Sequence, residues 1–184
     1  QVEADPGAIN LDGFQIFFRE QRPFFVENRN IFDYSITSAE AGGQYNSDLI
    51  FYSRRIGGSP SRRIGENTGI GRFVQKPENT TILGAAKVSG KTQEGLSIGL
   101  LSSFTEREYA TIINEDGEFQ EEVEPLTSYN VGRVQQDFNK RQSTIGAIVT
   151  RVDRNLRTDE LGFLHNQATS GGIDLVHRWK DRAW

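Results

Sequence analysis

The chain has no cysteine and no methionine among its 184 residues. A disulfide framework, a zinc–thiolate centre and a cysteine nucleophile are thereby excluded. It also lacks any run of about 18 apolar residues, which excludes a transmembrane helix. A membrane protein is not excluded, because barrel strands alternate apolar and polar residues and keep mean hydropathy low. Histidine is scarce. His165 and His177 are the two present, and neither sits in a metal-ligand spacing such as H-x-x-x-H. There is no G-x-S-x-G nucleophile elbow and no G-x-x-x-x-G-K-[ST] phosphate loop. Carboxylates abound, but a hydrolytic pair must sit at a fixed separation in a cleft. The sequence therefore offers no catalytic residue, no metal ligand and no cofactor site. Neither sign of charge dominates, with 21 basic and 25 acidic residues, so nucleic acid is not the expected partner. A chain opening on Gln1 without an apolar leader is expected to be a mature or trimmed product.

What is present is a rhythm of turns. Residues 80–89 (TTILGAAKVS) run into a short turn, 90–95 (GKTQEG). Residues 96–105 (LSIGLLSSFT) run into a long acidic excursion, about 106–124. Residues 126–138 (LTSYNVGRVQQDF) meet a second short turn, 139–142 (NKRQ), and 143–151 (STIGAIVTR) leave towards another long loop. The last strand is expected over 172–180 (GIDLVHRWK). Short turns on one rim and long loops on the other are the hairpin grammar of an outer-membrane barrel. The excursion can also be read as two long strands, 96–114 and 118–138, meeting at Asp116-Gly117. Such strands would project beyond an apolar band of about 25 Å. Their projecting half is acidic and belongs in water.

Alternation gives faces. Ile82, Gly84, Ala86 and Val88 oppose Leu83, Ala85, Lys87 and Ser89. Leu96, Ile98, Leu100 and Phe104 oppose Ser97, Gly99, Leu101, Ser103 and Thr105. Tyr129, Val131 and Arg133 share a face whose orientation the pattern leaves open. Ile173, Leu175, His177 and Trp179 oppose Asp174, Val176, Arg178 and Lys180. A period of two with one apolar face suits a strand between lipid and a polar lumen. A soluble sandwich, core-in and water-out, has the same period. On the barrel reading Lys87, Arg133, Asp137, Asp174 and Arg178 are lumen candidates.

The first part of the chain is different. Residues 14–32 (FQIFFREQRPFFVENRNIF) hold six phenylalanines around Arg19, Glu20, Arg22 and Glu27. The i, i+3, i+4 spacing of Phe14, Phe17 and Phe18 predicts a short helix ending before Pro23. The cluster reads as packed core or as a sugar-stacking surface. Residues 49–54 (LIFYSR) read as a short strand, 69–75 (GIGRFVQ) as another. Between them Ser53-Arg54-Arg55-Ile56-Gly57 recurs as Ser61-Arg62-Arg63-Ile64-Gly65. Arg54, Arg55, Arg62 and Arg63 are either a solvated loop paired with the chain's own carboxylates or an anion site, since the guanidinium fork suits phosphate and carboxylate.

Seven blocks carry a family resemblance: QVEADPGAIN (1–10), FFREQRPFFVENRNI (17–31), LIFYSRRIG (49–57), TILGAAKVSG (81–90), SIGLL (97–101), EPLTSYNVGRVQQDF (124–138) and GGIDLVHRWKDR (171–182). Together they resemble an uncharacterised, Bacteroidetes-type domain of unknown function. In that family the domain follows a module like the family-nine carbohydrate-binding modules and is thought to form an outer-membrane barrel. The resemblance implies an outer-membrane location in a Gram-negative bacterium, contact with lipid or lipopolysaccharide, and a glycan or other polymeric ligand. The second S-R-R-I-G copy and residues 139–142, where relatives are glycine-rich, depart from the pattern. Some members are labelled membrane-associated hydrolases, and the family supplies no catalytic residue to carry over.

The expected fold is all-β: antiparallel up-and-down hairpins over 80–184 forming part of a transmembrane barrel, with a mixed plug or rim segment over 1–79. Five membrane strands cannot close a barrel, since single-chain bacterial barrels begin at about eight. Missing parts of the same polypeptide, or other membrane subunits, are therefore expected partners. Two alternatives stand beside the barrel: a membrane-associated hydrolase with its active site outside this chain, and a soluble all-β binding module.

Overall fold

The computed structural model describes residues 19–34, 36, 49–64, 73–115, 117–139 and 142–179. The described residues form an all-β structure of two antiparallel sheets with little helix. The larger sheet contains β2 (Ile82–Lys91), β3 (Leu96–Thr105), β6 (Leu126–Phe138), β7 (Ser143–Asn155) and β8 (Gln167–His177), in the order β2-β3-β6-β7-β8. The smaller has the order β1-β4-β5, from β1 (Phe73–Gln75), β4 (Glu108–Asn114) and β5 (Gly117–Glu124). Helices α1 (Pro23–Val26) and α2 (Arg29–Phe32) are each one turn long. The larger sheet is open, with β2 and β8 at its edges.

Turn chemistry sets the register. At the β2–β3 turn Thr92 N donates to Leu96 O at 2.8 Å and Gly95 N to Thr92 O at 3.1 Å. Gly95 has φ +91, and a Cβ there would lie 2.9 Å from Asp137 Cβ, so angle and space both demand glycine. Asn139, at φ 52, opens the β6–β7 turn, and Gln142 N donates back to its carbonyl at 3.0 Å. Between these turns the ladders run without a slip, Leu96↔Gln136 to Thr105↔Thr127 and Leu126↔Asn155 to Phe138↔Ser143.

Several expectations change. Residues 49–54 are not a strand. After Tyr52 the chain turns into a 3-10 helix, Ser53–Arg55, and Ile50 and Phe51 pack on the core of the larger sheet. Their β-forming character signalled burial rather than pairing. No helix ends before Pro23 among residues 19–22; α1 begins at Pro23, where the missing N–H costs nothing. Residues 14–18 lie outside the described part. The acidic excursion is a hairpin, with Asn114 opposite Gly117. It is not a continuation of β3 and β6. Pro125 lies between β5 and β6, and β4 pairs with β1 in the other sheet. Strands β7 and β8 reach further towards the long-loop rim than expected, to Asn155 and back from Gln167. Of 69–75, only Phe73–Gln75 is described as strand.

The larger sheet has two unlike faces. On the inner face lie α1, α2 and residues 50–56. Phe25, Phe32 and Ile56 pack there against Leu101, Val131 and Ile148. Gly99 makes the close approach: a Cβ on it would stand 2.7 Å from Ile31 Cγ2 and 2.9 Å from Phe32 Cζ. Ile82 joins this core, contrary to simple alternation, because the β2–β3 register shifts between Ile82 and Gly84. Polar groups are buried on the same side. Ser103, Thr105 and Thr127 are fully covered, and Arg133 is 3% exposed.

The outer face is uncovered and carries two apolar rows, beyond which Ser102, Asn130, Arg151 and Thr169 form a polar one. Val88, Leu100, Gly132, Val149 and Gly171 form one row across all five strands. Gly90, Ile98, Val134, Ala147 and Ile173 form the next. No side chain in either row can make a hydrogen bond. Val88 is 68% exposed, Ile173 76% and Leu175 68%. The smaller sheet has its own modest core, Ile64, Ala110, Ile112 and Val123, with Val74 against it.

Candidate functional site

The S-R-R-I-G repeat ties the two cores together. In the first copy Ile56 is buried in the larger core, and in the second Ile64 is buried in the smaller. Gly57, at φ +73, turns the chain against β2, where a Cβ would meet Ile82 Cγ1 at 2.8 Å. Thr80 then clasps the turn, donating N and Oγ1 to Gly58 O at 2.8 and 2.9 Å. Ser61 N donates to Glu124 Oε2 at 2.6 Å, and Arg62 N to Val123 O at 3.0 Å.

A second clamp holds the first copy. Glu20 receives Arg22 Nε at 2.8 Å and Nη2 at 2.7 Å, and the Ser53 hydroxyl at 2.6 Å. Arg22 also donates to Ile56 O and Ser53 O and lies 4.3 Å over the Phe25 ring. Burial alone would raise the Glu20 pKa. The hydrogen bonds from Arg22 and Ser53 and the Arg22 charge outweigh it and hold the carboxyl at about 2. Of the charges among the phenylalanines, Glu20 and Arg22 thus pair with each other, while Phe25 and Phe32 are core.

Beneath the repeat is a cavity of about 430 Å³. Arg54, Arg55 and Arg63 line it, together with Tyr52, Glu124 and the inner-face residues Tyr129 and Arg154. Arg62 does not. Its guanidinium pairs with Glu121 at 2.6 Å. Arg54 Nη1 donates to Arg19 O at 3.1 Å. Arg154, at the far end of β7, donates Nη1 to His165 O at 3.1 Å, while its buried Nε has no partner among the described residues. Sequence reasoning did not find Arg154. Its signal was register, which becomes readable only once β7 extends beyond residue 151.

The lumen candidates fall mostly on the inner face. Lys87 donates to Glu27 O at 2.5 Å and to Phe24 O, so it anchors α1. Arg133 reaches across β7 to Asp174 on β8, Nη1 to Oδ1 at 2.5 Å. Gly146 leaves the room, since a Cβ there would lie 2.8 Å from that oxygen. The Tyr34 ring lies 5.3 Å from the Arg133 guanidinium, and its hydroxyl donates to Ile173 O at 3.1 Å. Asp137 pairs with Lys91 at 2.6 Å and accepts from Thr144 Oγ1 at 2.8 Å. Arg178 follows β8, exposed, with its backbone N donating to Gln142 O.

One pair has the look of a nucleophile and base: Ser143 Oγ lies 2.8 Å from His177 Nδ1. Ser143 is nevertheless only 2% exposed, and its hydroxyl also receives Asn139 Nδ2 at 3.2 Å. The His177 ring packs edge-on against Trp179. The hydroxyl is closed to a substrate and pins the second turn to β8. Among the described residues no cluster of three His, Asp or Glu could hold a metal ion, and no helix is long and apolar enough to cross a membrane.

Fold and site together define an antiparallel all-β protein whose main sheet is packed on one face by α1, α2 and residues 50–56 and carries two bare apolar rows on the other. The chain belongs to the family described as Domain of unknown function (DUF5916), whose model matches residues 1–162. No curated protein and no solved structure matches it.

Proposed function

We propose that the larger sheet is an arc of an outer-membrane β-barrel of a Gram-negative bacterium, its outer face against lipid and residues 19–64 acting as plug. The barrel would bind or pass a glycan or similar polymer. The observation that carries the reading is the pair of outer rows, ten positions over five strands without one polar side chain. A water-facing sheet face is expected to carry polar residues instead.

Three further features support it. Phe104 pairs with Ser128, and Phe138 lies ten residues along the same strand. At about 3.4 Å per residue and a tilt of about 40°, these outward aromatics stand roughly 25 Å apart along the membrane normal, the height of an apolar band between aromatic girdles. Three polar residues within that span or at its edge satisfy one another. Ser102 Oγ donates to Asn130 Oδ1 and Asn130 Nδ2 to Ser128 Oγ, each at 2.9 Å, as lipid requires. Finally, the charged outward pair Arg151–Asp153 lies towards the long-loop rim, joined there to Gln167.

The open edges at β2 and β8 suit pairing with further strands, from the same polypeptide or another subunit. The test is flotation of the full-length protein with membranes, followed by gel migration with and without heating. The expected result is co-flotation and a heat-dependent shift. A freely soluble protein with one migration position would overturn the barrel in favour of a soluble module.

A further inference from the structure

We propose that the cavity beneath the S-R-R-I-G repeat binds an acidic saccharide residue, a uronate or a sugar phosphate. Guanidinium-bearing residues from three separate parts of the chain line it: Arg54 and Arg55, Arg63, and Arg151 and Arg154, of which Arg151 is paired with Asp153. Among the described residues Glu124 is the one carboxylate in the lining, and its Oε2 is already committed to Ser61 N at 2.6 Å. The cavity therefore carries an excess of positive charge. A second, independent sign is Arg154 Nε, buried without a partner among the described residues. A buried donor left unmet is costly and marks a place where an acceptor is expected.

Size and chemistry narrow the ligand. About 430 Å³ falls within the range of roughly 300–1,000 Å³ for small-molecule pockets. That is room for one or two sugar rings rather than a bare ion. Tyr52 and Tyr129 line the same space and supply flat apolar surface with a polar tip. Carboxylate and phosphate match the guanidinium fork in two hydrogen bonds at once, which a neutral hydroxyl cannot do. The inner-face lining places the site on the side of the sheet away from the apolar rows. A saccharide arriving from the long-loop rim is thus favoured over a lipid headgroup. That choice of source rests on the barrel reading, whereas the anion chemistry does not.

The test is calorimetric titration of the full-length protein in detergent with D-glucuronate, D-glucose 6-phosphate, D-glucose and lipid A micelles. Glucuronate and glucose 6-phosphate are expected to bind in competition with each other, and glucose at least tenfold more weakly. The double variant Arg55→Gln, Arg63→Gln replaces two exposed residues and should keep its thermal midpoint while losing at least tenfold in affinity for both acidic sugars. Arg62→Gln, whose guanidinium belongs to Glu121, should leave affinity within twofold. Equal binding of glucose and glucuronate, or unchanged affinity in the folded double variant, would overturn the proposal. So would binding of lipid A with neither acidic sugar bound. Glucuronate binding by a protein that fails to float would sink the barrel and leave the anion site standing.

Discussion

In the smaller sheet Ala110, Ile112 and Val123 are buried, while Glu118 and Gln120 are exposed. In the larger sheet Arg133, Ser103 and Thr105 are buried, while Val88, Leu100, Val149 and Ile173 are exposed. The first sheet has a small apolar core with Glu118 and Gln120 outward, although Glu122 and Glu124 are buried and Tyr109, Ile113 and Phe119 are exposed. The second keeps an apolar core, with Leu101, Val131 and Ile148 buried, but adds polar groups to it and leaves aliphatic side chains bare on the other face. This arrangement is tolerable where the inner polar groups have partners, Asp174 for Arg133 Nη1 and the Phe24 and Glu27 carbonyls for Lys87, although Ser103 Oγ and Arg133 Nε have none among the described residues. It is useful only if the outward aliphatic side chains meet something other than water. On the proposed barrel reading, two environments within one chain of 184 residues would explain why the acidic hairpin leaves the main sheet at Glu106 instead of extending it.

The largest break in this contrast should come from the buried ion pair. Asp174→Ala leaves the Arg133 guanidinium uncompensated and should cost about 4 kcal/mol in chemical unfolding. Replacing both partners with Leu and Met should recover most of that loss. In the smaller sheet Ile112→Ala opens a cavity in a dry core. It should cost about 3 kcal/mol, with hydrogen exchange accelerated across β4 and β5 but little changed in β6 and β7.

The Glu20 clamp gives a pH signature. Its carboxyl, held at about 2 against an ordinary value of 4.5, contributes stability that is complete above the unfolded value. That contribution is lost as pH falls from 4.5 through about 2. The loss is about 3 kcal/mol, read as a falling urea midpoint. Glu20→Gln should flatten that slope and leave the smaller sheet's exchange rates unchanged.

A smaller effect discriminates most sharply between the environments. Val149→Arg should cost about 2 kcal/mol in a bilayer. If that face met water, the cost would stay within about 0.5 kcal/mol.

Much of this architecture was legible in the sequence, for identifiable reasons. β3 and β6 match their expected limits because Gly95, Pro125 and Asn139 punctuate them. Alternation separated the faces of β2, β3, β7 and β8, whereas the face of β6, left open by its pattern, emerges only from strand pairing. Where Ile50, Phe51 and Tyr52 were concerned, propensity misled, because burial against the sheet rewards the same residue types that pairing does. The turn of the acidic hairpin was legible at Asp116-Gly117, but its separation from β3 and β6 was not, since Glu118, Glu121, Glu122 and Glu124 mask the alternation that buries Val123. The Arg133–Asp174 pair spans 41 residues and depends on two ladder registers and on Gly146. Arg154 entered the cavity for the same reason. Residue type alone singled out Arg54, Arg55, Arg62 and Arg63, and only the fold separates Arg62, held by Glu121, from the other three.

The absence of cysteine makes the central claim directly testable. Single cysteines at positions 98, 149 and 120 can carry nitroxide labels in the full-length protein, reconstituted in lipid vesicles. Collision with oxygen reports the apolar phase, and collision with a nickel chelate reports water. Oxygen should dominate at 98 and 149, on the two outward rows, and nickel at 120, on the exposed side of the acidic hairpin. Nickel reaching 98 and 149 as freely as 120 would contradict the account.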